Sequence, residues 1–265
     1  MKSLFFTVLY LSGVVSAGNN KTRIIGGSAA QPNMYPYATF IQDMKLGKVC
    51  GGSLITSQWI VTAAHCVQTS NIKDLRVIIG TNNIGGKTGL PTSNGYIHAK
   101  YNPVTYDNDI AIIMLSNPVS YTPVKITKGP IGDNEDVRAI GWGITQNNMT
   151  VPSNSLMQVD IKTVSTAECK KRDPNFVGNG IGPQICTGNT PGKDTCLGDS
   201  GGGLLKLVNN EWRLAGLTSF GAWLSNKKTE GICGSNDVVG VYTNVYKYMD
   251  FIKAATGLQE SDLAV

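Results

Sequence analysis

The chain has 265 residues, of which 15% are charged and 31 are glycine. This length suffices for two small domains or one large β domain, and few charges with many glycines exclude a coiled coil or a disordered tail. The net charge is +5, but three basic residues lie in the first 23 positions, and the remainder carries 20 basic and 18 acidic residues. This small excess forms no lysine–arginine stripe, so it is no argument for a nucleic-acid partner.

The first 17 residues have the pattern of a secretory signal peptide. Lys2 gives the positive end, residues 4–15 are apolar, and Val-Ser-Ala at 15–17 offers small residues for cleavage. The apolar run is far shorter than the roughly 20 residues that a membrane helix needs, and no later stretch is long enough. The sequence therefore predicts a soluble protein that is secreted and not held in a membrane.

Short strand-like runs recur along the rest of the chain. They are rich in β-branched and apolar residues and are bounded by glycine, proline, asparagine or serine. In chain order they are residues 59–62, 76–79, 110–115, 137–140, 204–208, 214–217 and 241–243. One helix is predicted over 246–255, where Tyr248, Phe251 and Ile252 have helical spacing. Many short strands separated by turns favour an all-β protein built as barrels or a sandwich.

One serine lies between glycines, in Gly-Asp-Ser-Gly-Gly at residues 198–202. Such a serine fits the nucleophile elbow of α/β-hydrolases, but there the base histidine follows the serine. The chain has only two histidines, His65 and His98, and both precede Ser200, which argues against an esterase of that fold. The order His65, Asp109, Ser200 fits the other pattern, in which an aspartate orients the histidine that activates the serine.

Seven motifs, in this order, strongly resemble the chymotrypsin/trypsin family of serine proteases. They are Ile-Ile-Gly-Gly at 24–27, Cys-Gly-Gly-Ser-Leu at 50–54, Thr-Ala-Ala-His-Cys at 62–66, Asp-Asn-Asp-Ile-Ala at 107–111, Gly-Trp-Gly at 141–143, the serine segment, and Gly-Val-Tyr at 240–242. The resemblance implies two antiparallel six-stranded β-barrels with the active site in the cleft between them. Residues 24–130 would form the first barrel, and 131–265 the second barrel with a C-terminal helix.

The resemblance also assigns roles in the reaction. His65 would take the proton of Ser200, and Asp109 would hold the imidazole of His65 in the right tautomer. The backbone N–H groups of Gly198 and Ser200 would form the oxyanion hole, and Ser219 would support Asp109. The expected activity is that of a serine endopeptidase that works through a covalent acyl-enzyme.

One aspartate indicates which residue is expected before the cleaved bond. Asp194 matches the aspartate at the floor of the trypsin primary pocket, and Gly221 and Gly240 match its walls, which carry no side chain to block a lysine or arginine. Cleavage after Arg or Lys is therefore expected. The chain departs from trypsin in a longer segment at residues 222–232, which is interpreted either as a tolerated surface loop or as a substrate contact.

The Ile-Ile-Gly-Gly motif resembles the mature N-terminus of the family, which implies that the protein is made as a zymogen. Arg23 precedes Ile24, the first residue of the Ile-Ile-Gly-Gly motif, so residues 18–23 would be an activation peptide. Cleavage after Arg23 would free the amine of Ile24, which would enter the protein and pair with Asp199. Because the enzyme is expected to cut after Arg, it could activate itself.

Six cysteines in a secreted chain suggest three disulfides, and spacing alone leaves their pairing open. The family resemblance implies one particular set of pairs. These are Cys50–Cys66, Cys169–Cys186 and Cys196–Cys233.

No cofactor or metal is expected. Residues 81–90, where the family can bind calcium, contain no Asp or Glu. The two histidines form no His-Glu-x-x-His motif of a metalloprotease, and His98 matches a position that the family uses for structure. Asn20 and Asn148 begin Asn-x-Thr motifs and are candidate N-glycosylation sites.

The expected partners are polypeptide substrates and protein inhibitors of proteases, and the protein is expected to be a monomer without nucleic-acid or membrane partners. The alternative of a different class is a protease-like binding protein that has lost its activity. It is disfavoured because all three triad residues and the pocket acid are present. Labelling with a serine-directed fluorophosphonate distinguishes the two.

Overall fold

A computed structural model describes residues 24–178, 180, 182–188, 190–224 and 232–265. Three predicted features lie outside the described residues. They are the signal peptide, the activation peptide with Asn20 and Arg23, and residues 225–231 of the longer segment. Within the described part, none of the helices has the length and apolar character needed to cross a membrane.

The first barrel is closed and antiparallel. The chain enters through a two-residue strand, β1 (Ser28–Ala29). Six strands then form the barrel: β2 (Ala38–Asp43), β3 (Val49–Leu54), β4 (Trp59–Thr62), β5 (Leu75–Ile79), β6 (Leu90–Ile97) and β7 (Ala111–Leu115). Their order is β2-β3-β4-β7-β6-β5, and pairing between β2 and β5 closes the barrel. A four-residue helix, α1 (Ala64–Val67), follows β4 directly.

The second barrel has six strands in its closed ring. They are β8 (Asp136–Gly141), β9 (Met157–Thr163), β10 (Gln184–Gly188), β11 (Gly203–Val208), β12 (Glu211–Trp223) and β13 (Val238–Asn244), with the short helix α2 (Thr166–Lys170) after β9. They run in the order β9-β10-β13-β12-β11-β8, and β8 pairs with β9 to close the ring. Strand β1 pairs with the first two residues of β9, so the N-terminal segment joins the second barrel. The two predicted six-stranded barrels are confirmed.

The side-chain pattern explains why these segments are strands. In β9, residues 157, 159, 161 and 163 are buried, whereas 158, 160 and 162 are more exposed. This alternation is what a strand with one face on a core produces. Strand β7 pairs with β4 on one side and β6 on the other, and it is buried along almost its whole length.

The C-terminal helix is present but begins differently from the prediction. Residues 245–248 form a 3₁₀ turn, α3 (Met249–Thr256) follows, and a last short helix is α4 (Glu260–Leu263). Gly257 ends α3 with a φ of 73°, a left-handed conformation that favours glycine, and its N–H donates to the carbonyl of Lys253. The buried side chains of Tyr248 and Ile252 belong to the same apolar core as the first barrel. The helix therefore ties the end of the chain back to the first barrel.

The three disulfides join Cys50 to Cys66, Cys169 to Cys186, and Cys196 to Cys233. These are the pairs that the family resemblance implies.

Candidate active site

A cleft with a volume of 440 Å³ receives side chains from both barrels. His65 enters it from α1 of the first barrel. Ser200 and Asp194 enter it from the loop between β10 and β11, and the backbone of Gly221 on β12 and Gly240 on β13 lines it. Residues that are far apart in the sequence thus meet in one space.

His65 and Asp109 are joined twice. The Nδ1 atom of His65 lies 2.8 Å from Oδ2 of Asp109, and the backbone N–H of His65 donates to Oδ1 at 2.9 Å. Asp109 is fully buried, two residues before β7, and His65 is largely buried. A buried carboxylate is tolerated only when it is paired, and here it fixes both the ring and the backbone of the histidine.

The second barrel supplies the other partners of Asp109. The hydroxyl of Ser219 on β12 donates to Oδ2 at 2.5 Å, and the hydroxyl of Thr243 on β13 donates to the backbone carbonyl of Asp109 at 2.8 Å. Ser219, which the resemblance places beside this aspartate, is therefore in direct contact with it. Since one partner comes from each of two adjacent strands, docking of the barrels positions this aspartate.

Ser200 faces the same cleft and is half-buried. Its backbone carbonyl accepts from the N–H of Gly51 at 2.7 Å, and the next residue, Gly201, has a φ of 74° and donates its N–H to the carbonyl of Thr218. Among the described residues, no hydrogen bond links its hydroxyl to His65. Such bonds are often long in free enzymes and tighten when substrate binds.

The two predicted oxyanion donors are unengaged. Neither the N–H of Gly198 nor that of Ser200 donates to another group in the described part of the chain. Gly198 has a φ of 92°, which the lack of a side chain permits. Both donors are therefore available to a substrate oxygen.

Asp194 lies at the buried end of the cleft, only 7% exposed. Its Oδ2 accepts from the N–H of Gly234 at 3.2 Å. Burial raises the pKa of Asp194 to about 6, although backbone hydrogen bonds from Gly234 and Thr195 oppose the rise. Among the described residues no basic side chain forms an ion pair with it. Asp194 is thus a buried carboxylate that has backbone donors but no ion pair within the described part of the chain.

Gly221 and Gly240 lie opposite one another in the ladder of β12 and β13 and border the pocket. Leu197, at the rim, is 72% exposed. The wall is therefore open where a side chain would enter, and the rim is apolar.

The comparisons with known proteins agree with this geometry. Residues 24–252 match the family model described as Trypsin. The chain is 35% identical over 245 residues to brachyurin of Leptuca pugilator, covering 89% of this chain and 99% of that protein. It is 31% identical over 263 residues to CLIP domain-containing serine protease B4 of Anopheles gambiae, covering 87% of this chain and 69% of that protein. The chain belongs to the trypsin family of serine proteases.

In this member of the trypsin family, Asp199 is fully buried beside the serine. Its oxygens accept from the N–H groups of Gly143, at 2.8 Å, and Cys196, at 2.9 Å. Burial, with a smaller contribution from the like charge of Asp194, raises the pKa of Asp199 to about 7. The described residues provide no cation to pair with it.

The N-terminal segment lies against this region. Ile24 is fully buried and has a φ of 48°, a strained conformation for a β-branched residue. Ile25 forms a bridge with Asp194, whose N–H donates to the carbonyl of Ile25 at 3.2 Å. The residues that follow the predicted cut therefore contact the substrate pocket directly.

Several residues that line the cleft were not predicted from the sequence, among them Tyr106 and Asn147. The ring of Tyr106 lies edge-on to His65, with ring centres 5.5 Å apart, and also contacts Phe220. Asn147 donates through Nδ2 to the carbonyl of Cys233 at 3.1 Å. Tyr106 stands next to the aspartate motif, which was a weak signal, whereas nothing local to Asn147 pointed to the cleft.

His98 lies outside the cleft. Its ring packs edge-on against Tyr248 and Phe251 of the C-terminal region, and its Nδ1 accepts from the N–H of Lys100. This packing is consistent with the structural role expected for it.

Among the described residues, one group brings three metal-ligand atoms together, at Cys50, His65 and Cys66. The two sulfurs are already joined in a disulfide, so they are not thiolates that could bind an ion.

Proposed function

We propose that the protein is a secreted serine endopeptidase that cleaves polypeptides after Arg or Lys and is made as a zymogen. One observation carries this proposal. The paired His65–Asp109 unit faces Ser200 in a cleft whose buried end holds the unpaired carboxylate of Asp194. The His65–Asp109 pair facing Ser200 suits acyl transfer, and the carboxylate of Asp194 suits a long cationic side chain of the substrate.

In the proposed reaction, the carbonyl carbon of the substrate is attacked by the hydroxyl of Ser200 as His65 takes its proton. The N–H groups of Gly198 and Ser200 stabilise the oxyanion that forms. His65 then protonates the leaving amine, and water hydrolyses the acyl-enzyme through the same base. Asp109 stabilises the charged imidazole, and its hydrogen bonds from His65 and Ser219 hold its carboxylate in place.

Activation is proposed to follow from the burial of Asp199 and Ile24. Cutting after Arg23 creates an ammonium group on Ile24, which would pair with the buried carboxylate of Asp199. The cut also removes the carbonyl group that precedes Ile24, so that the φ of 48° no longer constrains this residue. Both changes favour the buried position of Ile24. Because the carbonyl of Ile25 is bonded to the backbone of Asp194, a fixed position of Ile24 also holds Asp194 in place.

Two variants test the activity. Ser200→Ala should lower the turnover of an activated enzyme by about 10⁶, and Asp109→Asn by about 10⁴; both magnitudes are those established for other triads of this kind. The measurement is cleavage of a peptide library, with the cut positions identified by mass spectrometry. Near-normal activity of Ser200→Ala would refute the triad.

Asp194→Ser tests the specificity. It should remove most of the activity on Arg and Lys substrates, because the buried cation would lose its counter-charge. A wild-type enzyme that prefers Phe or Leu before the cut would contradict the role proposed for Asp194.

Arg23→Gln tests the zymogen. This precursor should be secreted but stay inactive, even after mixing with active enzyme, because its Ile24 amine is never freed. The readouts are N-terminal sequencing and peptidase activity. Full activity in a form whose N-terminus still precedes Ile24 would refute the mechanism.

A further inference from the structure

The loop between β8 and β9 stands at the mouth of the cleft. At one end the N–H of Ile144 donates to the carbonyl of Leu197, and at the other the N–H of Ser153 donates to the carbonyl of Trp142, both at 2.8 Å. Near the tip, Asn147 lines the cleft and is bonded to the carbonyl of Cys233. The tip is therefore held beside the substrate pocket.

The next residue begins a glycosylation motif. Asn148, Met149 and Thr150 form Asn-x-Thr, and all three are exposed, on a turn in which the N–H of Met149 donates to the carbonyl of Gln146. Exposed turns of this sequence accept N-linked glycans in secreted proteins. The motif at Asn148 is the only Asn-x-Ser/Thr sequence after Arg23.

Exposed apolar side chains lie in and beside this motif. Val151 is 65% exposed, Leu197 is 72% exposed, and Met149 is 37% exposed. Exposed apolar side chains that cluster beside a cleft offer a docking surface to other proteins. A hydrated glycan attached in their midst would cover that surface.

We propose that Asn148 carries an N-linked glycan in the mature protein, and that this glycan slows the approach of folded proteins to the cleft but admits short peptides. The proposal rests on the secretion and peptidase activity proposed above. The Cα atoms of Asn148 and cleft-lining Asn147 are about 3.8 Å apart, as in any trans peptide. A folded partner that buries about 800 Å² must cover the rim, whereas a short peptide occupies the cleft alone.

The modification is a group transfer from a lipid-linked oligosaccharide diphosphate in the secretory pathway. The bond between the first sugar's anomeric carbon and the diphosphate oxygen breaks, and the lipid diphosphate leaves. A bond forms from that carbon to Nδ2 of Asn148, which loses one proton. Thr150 supplies the hydroxyl that the acceptor motif requires.

The glycan is tested by the intact mass of mature protein from a eukaryotic secretory host, before and after treatment with peptide N-glycosidase. Wild type and Thr150→Ser, which keeps the motif, should each carry one glycan that the enzyme removes. Asn148→Gln and Thr150→Ala should carry none. A wild-type protein without a glycan would overturn the proposal.

The effect on access is tested by the association rate constant of a folded protein inhibitor of trypsin-like enzymes, such as aprotinin, followed by direct binding. Both variants without the motif, and enzymatically deglycosylated wild type, should associate faster than glycosylated wild type by about ten-fold. The kcat/KM for a short peptide should be equal in all forms. Equal association rates, or no binding by any form, would overturn the proposed effect on access.

Failure of the proposed peptidase function can be distinguished from failure of the proposed role of the glycan. If no form cleaved any peptide, the proposed peptidase function would fail, while the masses and the binding rates would still decide the role of the glycan. Because deglycosylated wild type lacks any mutation other than the Asn-to-Asp conversion, it separates loss of the glycan from a disturbance of the loop.

Discussion

At the scale of single residues, Asp109 shows how the chemistry depends on hydrogen bonding. Its Oδ1 accepts from the backbone N–H of His65, and its Oδ2 accepts from the ring of His65 and from Ser219. An ionised carboxylate taken fully out of water is costly unless its oxygens are bonded in this way. Each donor therefore lowers the cost of burying this carboxylate beside the imidazole.

Ser219→Ala should lower kcat/KM for a short peptide by about ten-fold. The variant removes one hydrogen bond to a buried charge, and such a bond contributes about 1.5–3 kcal/mol. Ser219→Thr, which keeps the hydroxyl, is the control and should retain most of the activity. Equal kcat/KM values for Ser219→Ala and wild type would show that this bond does not support the triad.

The binding of a small amidinium inhibitor such as benzamidine should weaken as the pH falls below about 6. Burial raises the pKa of Asp194 to about 6, so the carboxylate is neutral below that value and no longer attracts the cation. The Kd, measured by calorimetry, should rise by up to about ten-fold per pH unit, because protonation then competes with binding.

Asp194→Asn is the control for this titration. It should bind the amidinium weakly at every pH, because it has no charge to lose. A Kd for wild type that stays constant from neutral to acidic pH would argue against Asp194 as the group that binds the cation.

At the scale of elements, the β12–β13 ladder builds the pocket wall. Gly221 and Gly240 are directly paired across it, so both strands lack a side chain at the same place. The surroundings of the two glycines differ, however. A Cβ on Gly221 would make ordinary contacts at 3.7 Å and beyond, whereas one on Gly240 would meet the hydroxyl of Thr187 at 2.9 Å and the ring of Tyr242 at 3.1 Å.

This difference predicts different outcomes for two matched substitutions. Gly221→Ala should leave Tm nearly unchanged but raise KM for Arg substrates, because the added methyl group borders the pocket. Gly240→Ala should lower Tm as well, since crowding a packed interior costs about 1–3 kcal/mol. The measurements are thermal unfolding and KM for both variants. Equal decreases of Tm in the two variants would show that the space around each glycine does not determine whether an added methyl group is tolerated.

At the scale of the whole molecule, cleavage before Ile24 should change how stability depends on pH. In the uncut chain the pKa of Asp199 is raised to about 7, so its folded state holds the proton more tightly than the unfolded state. Ionising this buried group therefore destabilises the uncut form progressively as the pH rises from about 4 to 7. After cleavage, an ammonium group on Ile24 would compensate that charge.

The excess of Tm in the cut form over the uncut form should therefore be larger at about pH 8 than at about pH 5. The experiment compares both forms of a Ser200→Ala protein, cut in trans by active enzyme, so that neither digests itself. A difference in Tm that is independent of pH would contradict the pairing of Ile24 with Asp199.

The sequence predicted the strands that carry their own signal and missed those that depend on a neighbour. Residues 59–62 are β4 as predicted, and the predicted run at 137–140 lies within β8. Strand β3 was missed because Gly51 and Gly52 have a low propensity for strands. A Cβ on Gly51 would lie 2.7 Å from the Cα of Gly202. Gly51 is therefore required because the two barrels approach each other closely at this point. No pattern in the local sequence reveals that approach.

By itself, the sequence determined the chemical groups and their order along the chain. The order His65, Asp109, Ser200 and the glycines around the serine identified the family, because each motif is a short segment whose residue types carry the signal. Tertiary structure decided which groups touch. His65 lies 44 residues from Asp109, and Ser219 lies 110 residues from it. Hydrogen bonds over such separations form only once each barrel has closed and the two have packed together, because only then do the buried donors have no water to bond instead.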